Sequence, residues 1–214
     1  MPGEPRQTRR RLLSHIGVAA GTAVLPLAGS GRAAVTTTDR TIFSFDSTPI
    51  EATLYEPATA EPQPAVLATH GWGATRDTVA PIARTYAQQG YVVLTYDSRG
   101  FGDSGGVVTL TGTNEQQDAQ ELITWLADHE AVLTDATGPR LGMDGRSYGG
   151  GIQLRVAAHD DRVDAIVPRY TWHDLTRALA PNGAIKTGWA RGLLTLGSTT
   201  GDLDTGFKSR SEDL

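Results

Sequence analysis

The run Gly145-Arg146-Ser147-Tyr148-Gly149 constrains this chain most: it follows a short apolar stretch and leads through Gly150 and Gly151 into a helical pattern. Between a strand and a helix, G-x-S-x-G reads as a sharp turn that lifts a serine hydroxyl above a parallel sheet. Its glycines stand where side chains would collide. The pattern alone is weak, because the chain carries 25 glycines in 214 residues. Context has to carry the inference.

From Thr41 onward, short β-rich runs alternate with helical patterns, the texture of a mostly parallel sheet flanked by helices. Residues 42–45 and 50–55 read as an antiparallel pair about Asp46-Ser47, and residues 65–69 as a buried strand ending at His70-Gly71. A helix is expected over 77–89, stopped by Gly90, and a strand over 91–96. Asn114 is expected to cap a helix ending near His129. Residues 141–143 form a strand running into the elbow, the elbow's helix runs from Tyr148 to about Ala158, and residues 163–168 form the strand after it. Beyond Arg169 no further strand is evident. Thr171 and Asp174 suggest a capped helix, residues 186–196 an amphipathic segment, and residues 198–214 a polar end without periodicity.

At 39% hydrophobic the chain can bury one sizeable core. Residues 1–33 stand apart: Arg9-Arg10-Arg11 precede a weakly apolar stretch rich in Ala and Gly, which reads as a twin-arginine export signal and predicts a secreted or extracytoplasmic protein. A membrane anchor fits less well, because spanning a bilayer takes about 20 apolar residues. The expected organisation is an export signal (1–33), an α/β core (34–170), and the start of a cap with a polar tail (171–214). After residue 33, 14 basic residues face 23 acidic ones. That balance argues against a nucleic-acid partner, which needs basic patches. With no cysteine, thiolate metal sites and a cysteine nucleophile are excluded, and nothing in the sequence asks for a metal or cofactor.

Acyl transfer by serine needs a base for the hydroxyl proton and backbone donors aimed where negative charge develops. His70-Gly71-Trp72-Gly73 ends the strand expected beside the elbow's strand, and such a turn can aim the Trp72 amide at the oxyanion, with the Tyr148 amide as second donor. The candidate catalytic residue is therefore Ser147, and the candidate oxyanion hole is Trp72 with Tyr148. His70, heading the turn, reads as structural. A second glycine-rich run, Asp97 to Gly106, lacks the Lys-Ser/Thr ending of a phosphate loop. Asp97 and Arg99 are expected to pair there and hold the loop.

Taken in order, His70 to Gly73, Asp97 to Gly106, Met143 to Gly151 and Val167 to Leu175 resemble the α/β-hydrolase superfamily. Within it they are similar to the X-prolyl dipeptidyl peptidase-like and cocaine-esterase-like group, over roughly residues 41–190. The resemblance implies an eight-stranded mostly parallel sheet, Ser147 as nucleophile, backbone amides of Trp72 and Tyr148 as the oxyanion hole, and a cap beginning after Arg169. It also implies cleavage of an ester or amide bond, X-prolyl peptides included, through an acyl-serine, on a small-molecule or peptide substrate. In that branch a tyrosine side chain often helps hold the oxyanion, and Trp72 has no hydroxyl to offer. The fold's chain order places an Asp or Glu and then a His on loops after later strands. After Ser147 the histidines are His159, at the expected end of the elbow's helix, and His173, past the next strand. The chain thus reads as a sheet ending after the strand that follows the nucleophile helix. It is a fragment, or a half completed by a C-terminal half or oligomer partner, or a non-catalytic relative without the acid and base.

Overall fold

A computed structural model describes residues 33–205. The export signal expected over residues 1–33, Ala33 apart, and the end of the polar tail lie outside the described residues. Six strands form the main sheet: β1 (Val35–Phe43), β2 (Pro49–Pro57), β3 (Ala65–Thr69), β4 (Val92–Tyr96), β5 (Leu141–Arg146) and β6 (Val163–Arg169). Their order is β1-β2-β4-β3-β5-β6. β1 and β2 are antiparallel to their neighbours, and β4, β3, β5 and β6 run parallel. Where the resemblance implies eight strands, the described residues supply these six.

β1 begins at Val35, ahead of the expected Ile42, because Val35 and the run Thr36-Thr37-Thr38 are β-branched and continue the pairing with β2 as far as Val35 opposite Pro57. The helix expected over 77–89 is split into a tight turn at Arg76–Thr78 and α1 (Ala80–Gln88). Pro81, which lacks an N–H, suits the first turn of a helix and not its interior. α2 (Thr113–Ala127) and α3 (Tyr148–Ala157) follow, then the short α4 (Leu175–Leu179) and α5 (Thr187–Thr200). Asp174 caps α4 by accepting from the Arg177 amide at 3.0 Å. Thr171 takes no part in that cap; its hydroxyl donates to the Ser147 carbonyl at 2.9 Å.

The strand alternation sorts side chains between two layers. Ala65, Leu67, Val92 and Leu94 face Leu122, Ile123 and Leu126 of α2 and Ile152 and Val156 of α3. Val66, Ala68 and Val93 face Ala83 and Ala87 of α1. β3 and β4 are buried along their whole length, so they read as continuous apolar runs, as central parallel strands do. Among the described residues no helix is long and apolar enough to cross a membrane.

Asp97 and Arg99 do not pair with each other. Arg99 is buried and donates to both carboxylate oxygens of Asp118 on α2, at 2.7 and 2.6 Å, and to Asp46 in the β1–β2 turn at 3.0 and 3.3 Å. Asp97, also buried, accepts from the Arg76 amide at 2.6 Å and from the Arg76 guanidinium. Each charge thus meets its opposite on a different element, Asp97 at Arg76 before α1 and Arg99 at Asp118 on α2. The end of the chain also departs from expectation. Beyond α5, the Asp202 amide donates to the Gly100 carbonyl at 2.7 Å, the Val108 amide donates to the Asp202 carbonyl at 2.8 Å, and Leu203 is buried. Contact with the glycine-rich loop orders a stretch that has no periodicity of its own.

Removing one partner of a buried ion pair strands the other charge. Arg99→Ala, which leaves Asp118 buried and uncompensated, should lower the unfolding free energy in urea by about 3–5 kcal/mol. Arg140→Ala, at exposed pairs with Asp135 and Asp164, should leave the midpoint essentially where it was.

Candidate active site

Ser147 stands between the last residue of β5 and the first of α3, with φ 54° and ψ −115°. That is a left-handed backbone at a residue with a side chain, a strained state that persists only where neighbours over-determine it. The neighbours are visible. The Ser147 amide donates to the Arg169 carbonyl at the end of β6 (2.8 Å), and its carbonyl accepts from the Gly151 amide (3.0 Å) and the Thr171 hydroxyl. Close approach explains both elbow glycines: a Cβ on Gly145 would lie 2.6 Å from the Gly149 carbonyl carbon, and one on Gly149 would lie 2.7 Å from the His70 carbonyl oxygen. Gln153, which no sequence signal marks, is buried in α3 and bridges β5 to β6. Its amide nitrogen donates to the carbonyls of Gly145 (3.1 Å) and Val167 (3.3 Å), and its oxygen accepts from the Val167 amide (2.8 Å).

β3 and β5 are neighbours, and the chain leaves β3 for β4 on one side and returns to β5 on the other. Ligands of open α/β sheets bind at the carboxyl ends of strands at such a reversal. The His70–Gly73 turn and the elbow meet there. The Cβ position of Gly71 lies 3.6 Å from the Arg146 carbonyl oxygen and 3.9 Å from the Ser147 Cβ. Among the described residues the Trp72 amide has no acceptor, and the Tyr148 amide, first in α3, has no intrahelical one. The three predicted site residues, Ser147, Trp72 and Tyr148, are thus drawn to one end of the sheet.

Their side chains set the donors. Tyr148 is fully buried, its hydroxyl donating to Glu115 at 3.3 Å, and burial pushes that hydroxyl well above the usual phenol range. Its ring lies edge-on to Trp72, with centroids 5.4 Å apart, and Phe101 completes the cluster at 5.2 Å from Trp72 and 5.8 Å from Tyr148. Glu115 also accepts from the Thr109 amide (2.6 Å) and the Gly112 amide (2.8 Å), which fixes a loop whose Leu110 and Thr111 both have φ 58°. Beneath the elbow, Asp144 accepts from Tyr86 at 2.7 Å and from Arg169. Burial, with the Asp144 charge next to it, pushes the Tyr86 hydroxyl up to about 12. Only proximity in the fold marks Gln153, Asp144 and Glu115; no local pattern singles them out.

The histidines fall elsewhere. His70 is fully buried with both ring nitrogens engaged: Nδ1–H donates to the Gly71 carbonyl (2.7 Å) and Nε2 accepts from the Ser98 amide (2.9 Å). Burial lowers its pKa, so it sits as a neutral spacer under the turn. His159 is exposed past the end of α3, bonded to the Arg155 carbonyl at 2.8 Å. His173 is exposed before α4. Among the described residues no histidine is hydrogen-bonded to Ser147, and no group of His, Asp or Glu side chains could cage a metal. An open cleft of about 550 Å³ lies between the glycine-rich loop and the end of α5, lined by Gly102, Ser104, Gly106, Thr199 and Thr200 among others; Ser147 does not line it.

The family described as X-Pro dipeptidyl-peptidase (S15 family) matches residues 46–209. An uncharacterized 31.7 kDa protein of the traX-finO intergenic region of Escherichia coli is 31% identical over 113 residues, 52% of this chain and 38% of that protein. The quorum-quenching protein AidA of Acinetobacter baumannii is 31% identical over 139 residues, 61% of this chain and 43% of AidA. Among solved structures, the CocE/NonD family hydrolase SACOL2612 of Staphylococcus aureus superposes with a TM-score of 0.65 at 19% identity, covering 83% of this chain and 36% of that one, which establishes a common fold. The chain therefore spans less than half the length of these relatives.

Gly149→Ala should destabilise the chain by about 3 kcal/mol or more, since neither the Thr69 nor the His70 carbonyl that its Cβ would meet can yield, whereas Gly188→Ala, with open space around its Cβ, should be neutral or slightly stabilising in a thermal melt. His70 adds a pH signature. Its folded pKa lies below the ordinary 6.5, so the unfolded chain binds the proton more readily. The stability it contributes is complete above about pH 6.5 and declines as pH falls below that value. Denaturation midpoints measured from pH 8 to pH 5 should show the decline, and His70→Gln should flatten it.

Proposed function

The chain belongs to the X-Pro dipeptidyl-peptidase (S15) family, and from that premise we propose that it is a serine hydrolase acting on an ester or amide bond through an acyl-Ser147 intermediate. The observation that carries the proposal is the backbone of Ser147: a strained turn, half exposed, beside two amides free of protein acceptors. In this reading the Ser147 Oγ attacks the substrate carbonyl carbon and its proton passes to a base. The carbonyl oxygen takes up negative charge between the Trp72 and Tyr148 amides. Expulsion of the alcohol or amine leaves an ester on Ser147, which water cleaves to release the acid. Tyr148 opens α3, so the positive end of the helix adds to the same stabilisation. Loss of one such donor typically costs about 3–4 kcal/mol of barrier. The same proposal includes export by the twin-arginine signal of residues 1–33, a small ester, amide or peptide as substrate, and a further polypeptide segment as the source of acid and base.

A second reading, a non-catalytic or fragmentary hydrolase, is supported by the histidines: both ring nitrogens of His70 are engaged elsewhere, His159 bonds the Arg155 carbonyl, and among the described residues none is hydrogen-bonded to Ser147. Two amides without an acid and base would still give about a thousandfold acceleration over water. A fluorophosphonate probe separates the readings. In the longer polypeptide that supplies the acid and base we expect stoichiometric labelling that maps to Ser147 and disappears in Ser147→Ala; equal labelling of both proteins would sink the serine assignment.

A further inference from the structure

α5 packs against the same turn that carries the Trp72 amide. The Trp72 indole N–H donates to the Leu193 carbonyl at 2.8 Å. One turn on, a Cβ at Gly197 would lie 2.8 Å from the Trp72 Cε2, too close for any side chain. At the end of the helix a Cβ at Gly201 would lie 2.8 Å from the Phe101 Cδ1. Positions 193, 197 and 201 recur at the helical spacing that puts them on one face. Gly73, with φ +72°, lies under Leu196 and Thr200 of the same helix, a Cβ there falling 2.7 Å from the Leu196 Cγ. By contrast Gly188 and Gly192 have nothing within 4 Å of a Cβ, so glycine on this helix is demanded sterically on one side alone.

These contacts converge on the rings that belong to the two amide donors. Trp72 and Tyr148 are edge-on to each other, Phe101 touches both, and α5 closes the cluster through Trp72 and Phe101. A ring wedged between a helix backbone and two other rings has no alternative rotamer to absorb a shift, so displacement of α5 reaches the peptide that bears the Trp72 amide.

We propose that α5 is a positioning element for the oxyanion hole: docking of this helix, read out through the Trp72 indole, sets the aim of the Trp72 amide, so that seating the cap and assembling the site are one event. This rests on the reading of Trp72 and Tyr148 as oxyanion donors. An amide that stabilises charge developing in the transition state changes the rate of the chemical step more than the affinity for substrate. Substitution on the contact face of α5 therefore acts on acylation and spares binding.

The test compares Gly197→Ala, which wedges a methyl against the indole, with Gly192→Ala, which adds the same methyl on the free face. Both gain helix propensity, so the wedged methyl is the difference between them, and rates are compared at a temperature at which thermal melts show both variants folded. Maximal rates of Ser147 labelling by a fluorophosphonate are measured in the full chain, with 19F spectra of protein carrying 5-fluorotryptophan at its four tryptophans. The Trp72 resonance is assigned by its loss in Trp72→Phe. We expect Gly197→Ala to lower the maximal labelling rate about tenfold or more, with half-saturation shifted less than about twofold, and Gly192→Ala to stay within about twofold of wild type. The Trp72 resonance should move in Gly197→Ala alone. Wild-type rates in Gly197→Ala overturn the positioning role and leave the serine assignment standing. A wild-type chain that never labels even when joined to the segment that supplies acid and base sinks that assignment instead, and a Trp72 resonance unmoved in Gly197→Ala overturns the coupling whether or not Ser147 reacts.

Discussion

The close seat of α3 on the carboxyl ends of β3 and β5 is the constraint on which the rest depends. Its first turn lies so near the strand backbones that Gly145 and Gly149 cannot carry side chains. The chain must then reverse within one residue, which drives Ser147 to a positive φ and leaves it half-buried, while Tyr148 points into the core. Where the helix enters, the buried amide of Gln153 bonds the carbonyls of Gly145 and Val167. Gly150 and Gly151 extend the tight surface, admitting Thr171 and Trp172 against the helix.

Rigidity at this end of the sheet comes from polar side chains buried with their partners. Asp97 ties the glycine-rich loop to Arg76, Arg99 ties the β1–β2 turn to α2, Glu115 holds the Thr109–Gly112 loop, and Asp144 links α1 to the end of β6. Each network is hydrogen-bonded on several sides, the condition under which buried charge stiffens a structure and does not weaken it. The loops that make the site are thereby held by the same groups that join the layers. Strain at Ser147, and left-handed backbone at Leu110 and Thr111, are sustained by this surplus of contacts.

Much of the sheet was legible because its signals are local. The apolar run 65–69 and the helix after Ser147 emerged as read, since a central parallel strand is apolar on both faces and the elbow glycines announce the turn. The start of β1 was missed because a threonine run carries β propensity without apolar alternation. The expected Asp97–Arg99 pair failed for a different reason: sequence proximity favours it, while the guanidinium meets two other carboxylates with two oxygens each, the buried Asp118 on α2 and Asp46 in the β1–β2 turn. Residues 198–205 read as a polar end because the Gly100 and Val108 backbones that order them are distant in sequence.

By itself the sequence determined the alternation of strands and helices, the place of the elbow and the identity of three candidate site residues, because hydrophobic period and glycine placement act over a few residues. Tertiary structure alone decided which charges pair, which groups engage the two ring nitrogens of His70, and that Trp72 is gripped by α5. Those outcomes depend on distances between segments far apart in the chain, where burial, not spacing along the backbone, sets the energy of each contact.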